Sequence, residues 1–241
     1  MKKQKQRQFR TTFGVSFVLT AIGCFSSLAA AQNPELQQKV AEIKEASARN
    51  KQELAQYTWQ EQVTISLKGE QKKQEHFQVR LGPDGKPQKT SLDPPADTTP
   101  KGGRLKQHVV EKKREEYKEY ADQIKSLVQQ YVPPERELLE QAYQQGNIML
   151  GPEAGAPGQY RLVISNYIKK GDNMTLIFDK DHKALFGITI ASYLDDPKDA
   201  VNVSVQFSAI PGGPNHVSQQ TIDGVSKQLN IVMQNSNYQH L

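Results

Sequence analysis

The histidines and the paired aspartates are the residues that could support acid–base or metal chemistry. Five histidines lie in separate elements, and their spacings are not those of metal ligands: His76, His108, His182, His216 and His240. Two aspartate pairs lie in turn-like sequence, where the side chain accepts hydrogen bonds from nearby backbone: Asp179/Asp181 and Asp195/Asp196. We therefore expect the histidines to be surface or turn residues, and the aspartates to stabilise turns rather than to catalyse a reaction.

Motifs for nucleophilic or cofactor chemistry are also missing from the sequence. It contains no G-x-S-x-G, H-E-x-x-H, P-loop or dinucleotide fingerprint. Cys24 is the single cysteine, and it lies within an N-terminal segment that is expected to be removed. The sequence thus predicts a protein that is not an enzyme and that has no cofactor and no metal site. A hydrolase is disfavoured because no constellation of residues supports it.

Glu61 interrupts an otherwise apolar pattern. Apolar residues alternate with polar ones along a predicted strand: Tyr57, Trp59, Val63, Ile65 and Leu67. Glu61 falls on their face, where a carboxylate is costly unless it is paired or in water. Two interpretations stay open, namely a structural position (at a sheet edge, or beside a basic partner from a helix) and a ligand contact.

Amphipathic helices are predicted at the start and in the middle of the mature chain. Asn33 and Pro34 can begin the first helix, whose apolar residues include Leu36, Val40, Ile43 and Leu54. A helical segment over residues 104–145 is divided at Pro133-Pro134 and ends at Gly146-Asn147. Its long helix carries an apolar stripe: Val110, Tyr117, Tyr120, Ile124, Leu127 and Tyr131. This stripe is either plain core or a lid that lines an apolar cavity, with the tyrosine hydroxyls reaching water.

Strands with one apolar and one polar face dominate the rest of the chain. Phe77, Val79 and Leu81 continue the first hairpin, and residues 91–103 form a loop rich in Pro and Gly. From Tyr160 to the C-terminus, the alternation predicts an antiparallel meander of about six strands. Such two-faced strands favour an α+β fold: a curved antiparallel sheet, an unclosed half-barrel, with helices covering its concave apolar face.

The first 31 residues have the three parts of a secretory signal peptide. Five basic residues precede a short apolar run, which ends at Ala29-Ala30-Ala31. We expect cleavage between Ala31 and Gln32, a single domain over residues 32–241, and a periplasmic or secreted protein. A weak lipobox at Ala21-Ile22-Gly23-Cys24 is the alternative, and it would leave the protein lipid-anchored through Cys24.

The net charge of +5 belongs entirely to this leader. Removing its five basic residues leaves 31 − 5 = 26 basic residues against 26 acidic ones. The mature chain is formally neutral and lacks the basic field that nucleic-acid binding requires. We therefore predict that nucleic acid is not a partner.

The order of elements resembles that of the LolA-type periplasmic lipoprotein carriers and their lipoprotein-sorting relatives. The local matches are LAQYTWQEQVTISLKGE (Leu54 to Glu70) and the strands YRLVIS, MTLIFD and VNVSVQF. The stretch GPDGKPQKTSLDPP (Gly82 to Pro95) departs from the family's arginine-containing strand, so no functional arginine is carried over. The resemblance implies an unclosed barrel with a helical lid around an apolar cavity for acyl chains.

Two functional hypotheses follow. The first is a non-enzymatic carrier of a lipid or lipoprotein acyl chain, with peripheral membrane contact during loading or release. Its candidate ligand-binding residues are Tyr57, Trp59, Glu61, Val63, Ile65, Phe77, Tyr117, Tyr120, Ile124 and Leu127. The second is an interaction module with a filled core, in which the charged face of the helix from Arg104 to Tyr131 binds an envelope protein.

Overall fold

A computed structural model of the protein describes residues 49–94, 104–131, 135–181 and 184–241. The predicted leader, the Ala31–Gln32 cleavage site, Cys24 and most of the first helix lie outside the described residues, although residues 49–54 are helical. The later helices are α1 (Arg104–Gln129) and α2 (Arg136–Gln144). The strands are β1 (Tyr57–Leu67), β2 (Glu70–Leu81), β3 (Pro87–Ser91), β4 (Ile148–Pro152), β5 (Gln159–Ser165), β6 (Asn173–Asp179), β7 (Ala184–Tyr193), β8 (Ala200–Ala209), β9 (Asn215–Gly224) and β10 (Leu229–His240).

All ten strands form one antiparallel sheet in the order β3-β2-β1-β10-β9-β8-β7-β6-β5-β4. Sequence neighbours pair as hairpins, and the single long-range pairing joins β1 to β10. The sheet does not close, since β3 and β4 are its two edges. The register shifts where β1 pairs with β10, β6 with β7 and β8 with β9. Such irregularities favour bent strands, which fits the predicted curved sheet.

Two strands were not expected from the sequence. Pro87 begins β3 at a sheet edge, where its missing N–H breaks no ladder bond. The other edge strand, β4, contains Gly151 and Pro152 and shows no clean alternation. Both are only five residues long, too short for a two-residue period to stand out.

The two mid-chain helices form where the apolar stripe predicted them. Gly146, with φ +72°, follows α2, and its N–H donates to Tyr143 O (3.0 Å). The Asn147 N–H donates to Ala142 O (2.8 Å), which completes a Schellman motif. The predicted end of the helical segment at Gly146-Asn147 is thereby confirmed. Within the described parts of the chain, no helix is both long and apolar enough to span a membrane.

The apolar residues of the strands share one side of the sheet, which we call the inner face. Register pairs such as Ile190–Val203, Val203–Ile222 and Ile222–Ile231 run across it. Side chains from both helices are buried in the same cluster as these strand residues: Tyr120, Ala121, Ile124, Leu127, Val128, Leu139 and Ala142. Contact is closest at Gly224, where an added Cβ would lie 2.6 Å from Tyr120 Cε1 and 2.7 Å from Ile124 Cδ1.

A buried carboxylate holds the residue just beyond α1. Asp172 is fully buried and accepts hydrogen bonds from the backbone N–H groups of Tyr167 (2.6 Å), Ile168 (2.9 Å) and Lys169 (3.0 Å). The Tyr131 hydroxyl also donates to Asp172 (2.6 Å) and lies 2.7 Å from the Ser192 hydroxyl oxygen. Burial, and then this bond, raise the pKa of Tyr131. The Asp172 carboxylate and the Tyr131 hydroxyl both have hydrogen-bond partners within the protein, and we therefore interpret this group as structural.

The tyrosine hydroxyls of α1 do not behave as expected for a lid. The Tyr120 hydroxyl donates to Asp199 Oδ1 (2.8 Å) and accepts from Ser226 (3.1 Å). Tyr131 is also bonded to protein groups, as above. The expectation that these hydroxyls reach water is wrong for Tyr120 and Tyr131. Both are instead hydrogen-bonded to polar side chains of the sheet and its loops.

Candidate ligand-binding site

A second group of buried and half-buried polar side chains lies at the end of the sheet where β1 begins and β10 ends, and most of them are on the inner face. We call it the polar cluster, and its members are Trp59, Glu61, Lys89, His216, Gln220, Asn235 and Tyr238. They come from four strands, β1, β3, β9 and β10, which only the pairing of β1 with β10 brings to one region of the sheet. The register places Asn235 opposite Glu61, while Gln220 opposes Met233, so Gln220 and Asn235 are diagonal neighbours.

Three aromatic rings form one side of the cluster. Trp59 stacks on Tyr238 with ring centroids 5.5 Å apart and an interplanar angle of 16°. His216 meets the same tyrosine edge-on at 4.0 Å. Trp59 lies where the register between β1 and β10 shifts, between Thr58 and Gln60, and the stack joins the two strands at this point. These contacts hold the three rings against one another.

A buried ion pair forms the other side. Lys89 Nζ bonds to Glu61 Oε1, with only 5% of the lysine and 10% of the glutamate side chain exposed. The predicted basic partner of Glu61 therefore exists, but it comes from edge strand β3 and not from a helix. Glu61 is also not at a sheet edge, because β1 lies between β2 and β10. Lys89 lies over the Phe77 ring as well, 5.8 Å from its centroid.

Four buried atoms of the cluster find no hydrogen-bond partner among the described residues. They are Trp59 Nε1, His216 Nδ1, Gln220 Nε2 and Asn235 Oδ1. Trp59, His216 and Gln220 are only 6%, 7% and 3% exposed. Leaving a buried donor or acceptor unpaired costs roughly 1–3 kcal/mol each. A set of such atoms in adjacent strands, beside an apolar cluster, is suited to bind a ligand that supplies the missing partners.

Both titratable rings of the cluster are neutral near pH 7. Burial lowers the pKa of His216 below its ordinary value. Burial, and then the negative charge of Glu61, raise the pKa of Tyr238. The charges of Glu61 and Lys89 cancel one another. The cluster therefore offers hydrogen bonds without a net charge.

His216 corrects one sequence-based expectation. It was expected at the surface or in a turn, but it is buried in β9 because Tyr238 packs against it. His76 is half-exposed and lies 2.8 Å from Asp93 Oδ1, and His240 is exposed. His182 and the side chain of His108 lie outside the described residues. Within the described ranges, no group of three or more His, Cys, Asp or Glu side chains could hold a metal ion.

The turn role of the aspartates is confirmed where the structure describes it. Asp179 Oδ1 accepts from the Asp181 N–H (2.9 Å), and Asp196 Oδ1 accepts from the Lys198 N–H (2.8 Å). Both bonds span two residues, the pattern of an aspartate that stabilises its own turn.

The ten candidate ligand-binding residues fall into separate groups. Trp59 and Glu61 belong to the polar cluster, with Phe77 beside Lys89. Five others lie in or against the apolar cluster beneath α1: Val63, Ile65, Tyr120, Ile124 and Leu127. Tyr57 is half-buried against the His240 ring at 5.1 Å, and Tyr117 is half-exposed, 5.9 Å from Lys227 Nζ. The candidates thus lie in the core and in or near the polar cluster, except Tyr117, which lies near the turn between β9 and β10.

Five members of the polar cluster were not predicted: Lys89, His216, Gln220, Asn235 and Tyr238. A signal for two of them was present in the alternation. Gln220 falls on the face of Ile222, and Asn235 follows Ile231 and Met233 at the same two-residue step. Lys89 and His216 carried no such signal, because β3 was not predicted and a register shift precedes His216.

A helical turn lies beside the polar cluster. Asn50 Nδ2 donates to Asn215 O (2.7 Å), and Asn50 Oδ1 accepts from the Asn215 N–H. Asn215 directly precedes His216, so helical residues 49–54 are held against the start of β9. This segment therefore borders the site at the start of β9.

Comparisons with known proteins identify similar solved structures but no family. No family model matches the sequence, and no curated protein matches it. The chain is similar to the crystal structure of a DUF1329 family protein from Desulfovibrio piger, with 13% identity and a TM-score of 0.40. It is also similar to that of a LolA superfamily protein from Nitrosomonas europaea, with 7% identity and a TM-score of 0.36. Each match covers 83% of this chain and 92% of the other.

Proposed function

We propose that the protein is a non-enzymatic binding or carrier protein of the bacterial periplasm, which holds an acyl chain, a lipoprotein or another apolar ligand. The polar cluster carries this proposal: four buried polar atoms lack partners among the described residues, beside the apolar cluster of the sheet. A protein selected only for stability gains nothing from such atoms, whereas a ligand can bond to them.

The apolar surroundings of the cluster suit the ligand's chain. Val63 and Met233 are buried directly beside Glu61 and Asn235, and they continue into the apolar cluster beneath α1. Each Å² of apolar ligand surface removed from water contributes about 25 cal/mol. The helices are the cover of the concave face in this proposal, and their movement sets the rate of release.

An envelope interaction module is the second candidate. It is favoured by the packing of α1, since Tyr120, Ile124 and Leu127 are buried and Tyr131 is fully bonded to Asp172. The opposite face of α1 is highly charged and exposed, and it would bind the partner. This candidate leaves the unpartnered atoms of the polar cluster without a role.

Native mass spectrometry of the mature protein recovered from a bacterial periplasm, with organic extraction, separates these functions. The carrier predicts a stoichiometric lipid or acyl adduct, or its uptake by delipidated protein from an acyl probe. An unrelated periplasmic protein from the same preparation is the control. Protein that is free of adduct and takes up no acyl probe would contradict the carrier and favour the interaction module.

A further inference from the structure

The unpartnered atoms of the polar cluster specify more than an apolar ligand. The Trp59 indole N–H can only donate, and Gln220 Nε2 also donates. Asn235 Oδ1 accepts, because Asn235 Nδ2 is already used in a bond to Val217 O (2.9 Å). A complementary ligand must therefore carry both acceptors and donors.

These atoms are spread along the sheet. Gln220 and Asn235 are diagonal neighbours, about 7–8 Å apart at the Cα atoms. Trp59 lies two residues further along β1 from Glu61, the register partner of Asn235. The three atoms lie on three adjacent strands, β1, β10 and β9. A ligand with several polar atoms, such as a glycerol ester or an acyl amide, can bond to all three.

On this face of the described strands β1 to β3, the charged side chains are already matched. Lys89 pairs with Glu61, and the next charged residues on this face of β2, Lys73 and Glu75, pair with one another at 2.8 Å. His216 and Tyr238 are neutral, as described above. An anionic head group would have to take Lys89 from Glu61, which leaves a buried carboxylate unpaired. A cationic head group would have to take Glu61 from Lys89, which leaves a buried ammonium group unpaired.

We propose that the polar cluster is a head-group site selective for uncharged acyl lipids, whose ester or amide carbonyls and hydroxyl or N–H groups bond to Trp59, Gln220 and Asn235. This inference rests on the proposed carrier function and adds a selectivity to it. Lipids with a phosphate or a free carboxylate are excluded because the cluster has no unmatched charge to receive them.

Trp59 is the single tryptophan of the chain, so its fluorescence reports on the site directly. The mature protein is titrated with four probes of one chain length: a monoacylglycerol, an N-acylethanolamine, the free fatty acid and a lysophosphatidylglycerol. Equilibrium dialysis provides an independent binding constant. We expect both neutral probes to bind at least tenfold more tightly than either anion. The ester and the amide then show which neutral class is preferred.

Gln220→Met removes the buried N–H with little change in volume. The matched control is Gln206→Met, at an exposed position of β8. We expect Gln220→Met to weaken neutral probes up to about tenfold and to leave the fatty acid unchanged. Asn235→Val is a second variant if Gln220→Met fails to fold.

An anion that binds as tightly as the neutral probes, or an equal effect of Gln220→Met on all probes, overturns the selectivity alone. If no acyl probe binds, the carrier function fails with it.

Discussion

At the scale of single residues, Glu61 and Lys89 form the most deeply buried ion pair that the described structure shows. Removing one partner leaves an uncompensated buried charge, so Lys89→Met should lower the free energy of unfolding by about 3–5 kcal/mol. The double variant Glu61→Gln/Lys89→Met should recover most of that loss. Urea unfolding at pH 7 measures both.

The exposed pair of Lys72 and Glu70 provides the control for this prediction. Solvent screens that pair, so Lys72→Met should change stability little. A double variant no more stable than Lys89→Met would show that packing of the lysine stem, and not the unpaired carboxylate, determines the loss.

His216 adds a dependence of stability on pH. Its pKa in the folded protein is lowered by burial, while the unfolded chain titrates at about 6.5. Above that pH both states are neutral. Below it the unfolded state binds a proton that the folded state binds less readily. The free energy of unfolding therefore decreases as the pH is lowered, by at most about 1.4 kcal/mol per pH unit.

Unfolding of the wild-type protein and of His216→Phe between pH 7 and pH 5 tests this effect. Phenylalanine keeps the ring contact with Tyr238 and cannot titrate. We expect a shallower slope for His216→Phe, and an unchanged slope for exposed His240→Gln. Equal slopes for His216→Phe and the wild type would mean that His216 is not the titrating group.

At the scale of elements, Gly224 sets how closely α1 approaches the sheet. In Gly224→Ala the new Cβ would lie 2.6 Å from Tyr120 Cε1 and 2.7 Å from Ile124 Cδ1, so these side chains or the helix that carries them must shift. We expect a loss of about 1–3 kcal/mol in thermal or urea unfolding. Gly151→Ala in β4 is the matched control, because nothing lies within 4 Å of its added Cβ. Equal stability of the two variants would contradict the close packing of α1.

At the scale of the whole molecule, we predict that residues 1–31 are removed on export, so that the mature chain is shorter than the sequence. We predict that protein purified from a periplasmic fraction begins at Gln32 and has the corresponding intact mass. Cys24→Ser should be processed identically. A mature chain that begins at Cys24 with added lipid mass would instead establish the lipobox alternative and an anchored protein.

Local patterns in the sequence determined much of the fold. Alternation along residues 201–209 predicted both the strand and its buried face, and the three- and four-residue steps from Tyr117 to Tyr131 predicted the buried side of α1. Gly146-Asn147 predicted the end of α2. These features depend on residues within one or two turns of each other, and their periods are visible in the linear chain.

Only the tertiary structure decided which residues form the polar cluster. Pairing of β1 with β10 brings Asn235 opposite Glu61, 174 positions earlier by the residue numbers (235 − 61 = 174). Edge strand β3 then supplies Lys89 across β2, and β9 supplies His216. A two-residue period specifies which face a side chain occupies, but not which strand lies next to it. That choice depends on the pairing of the whole sheet, and so the sequence predicted an apolar face while the folded sheet determined the polar site within it.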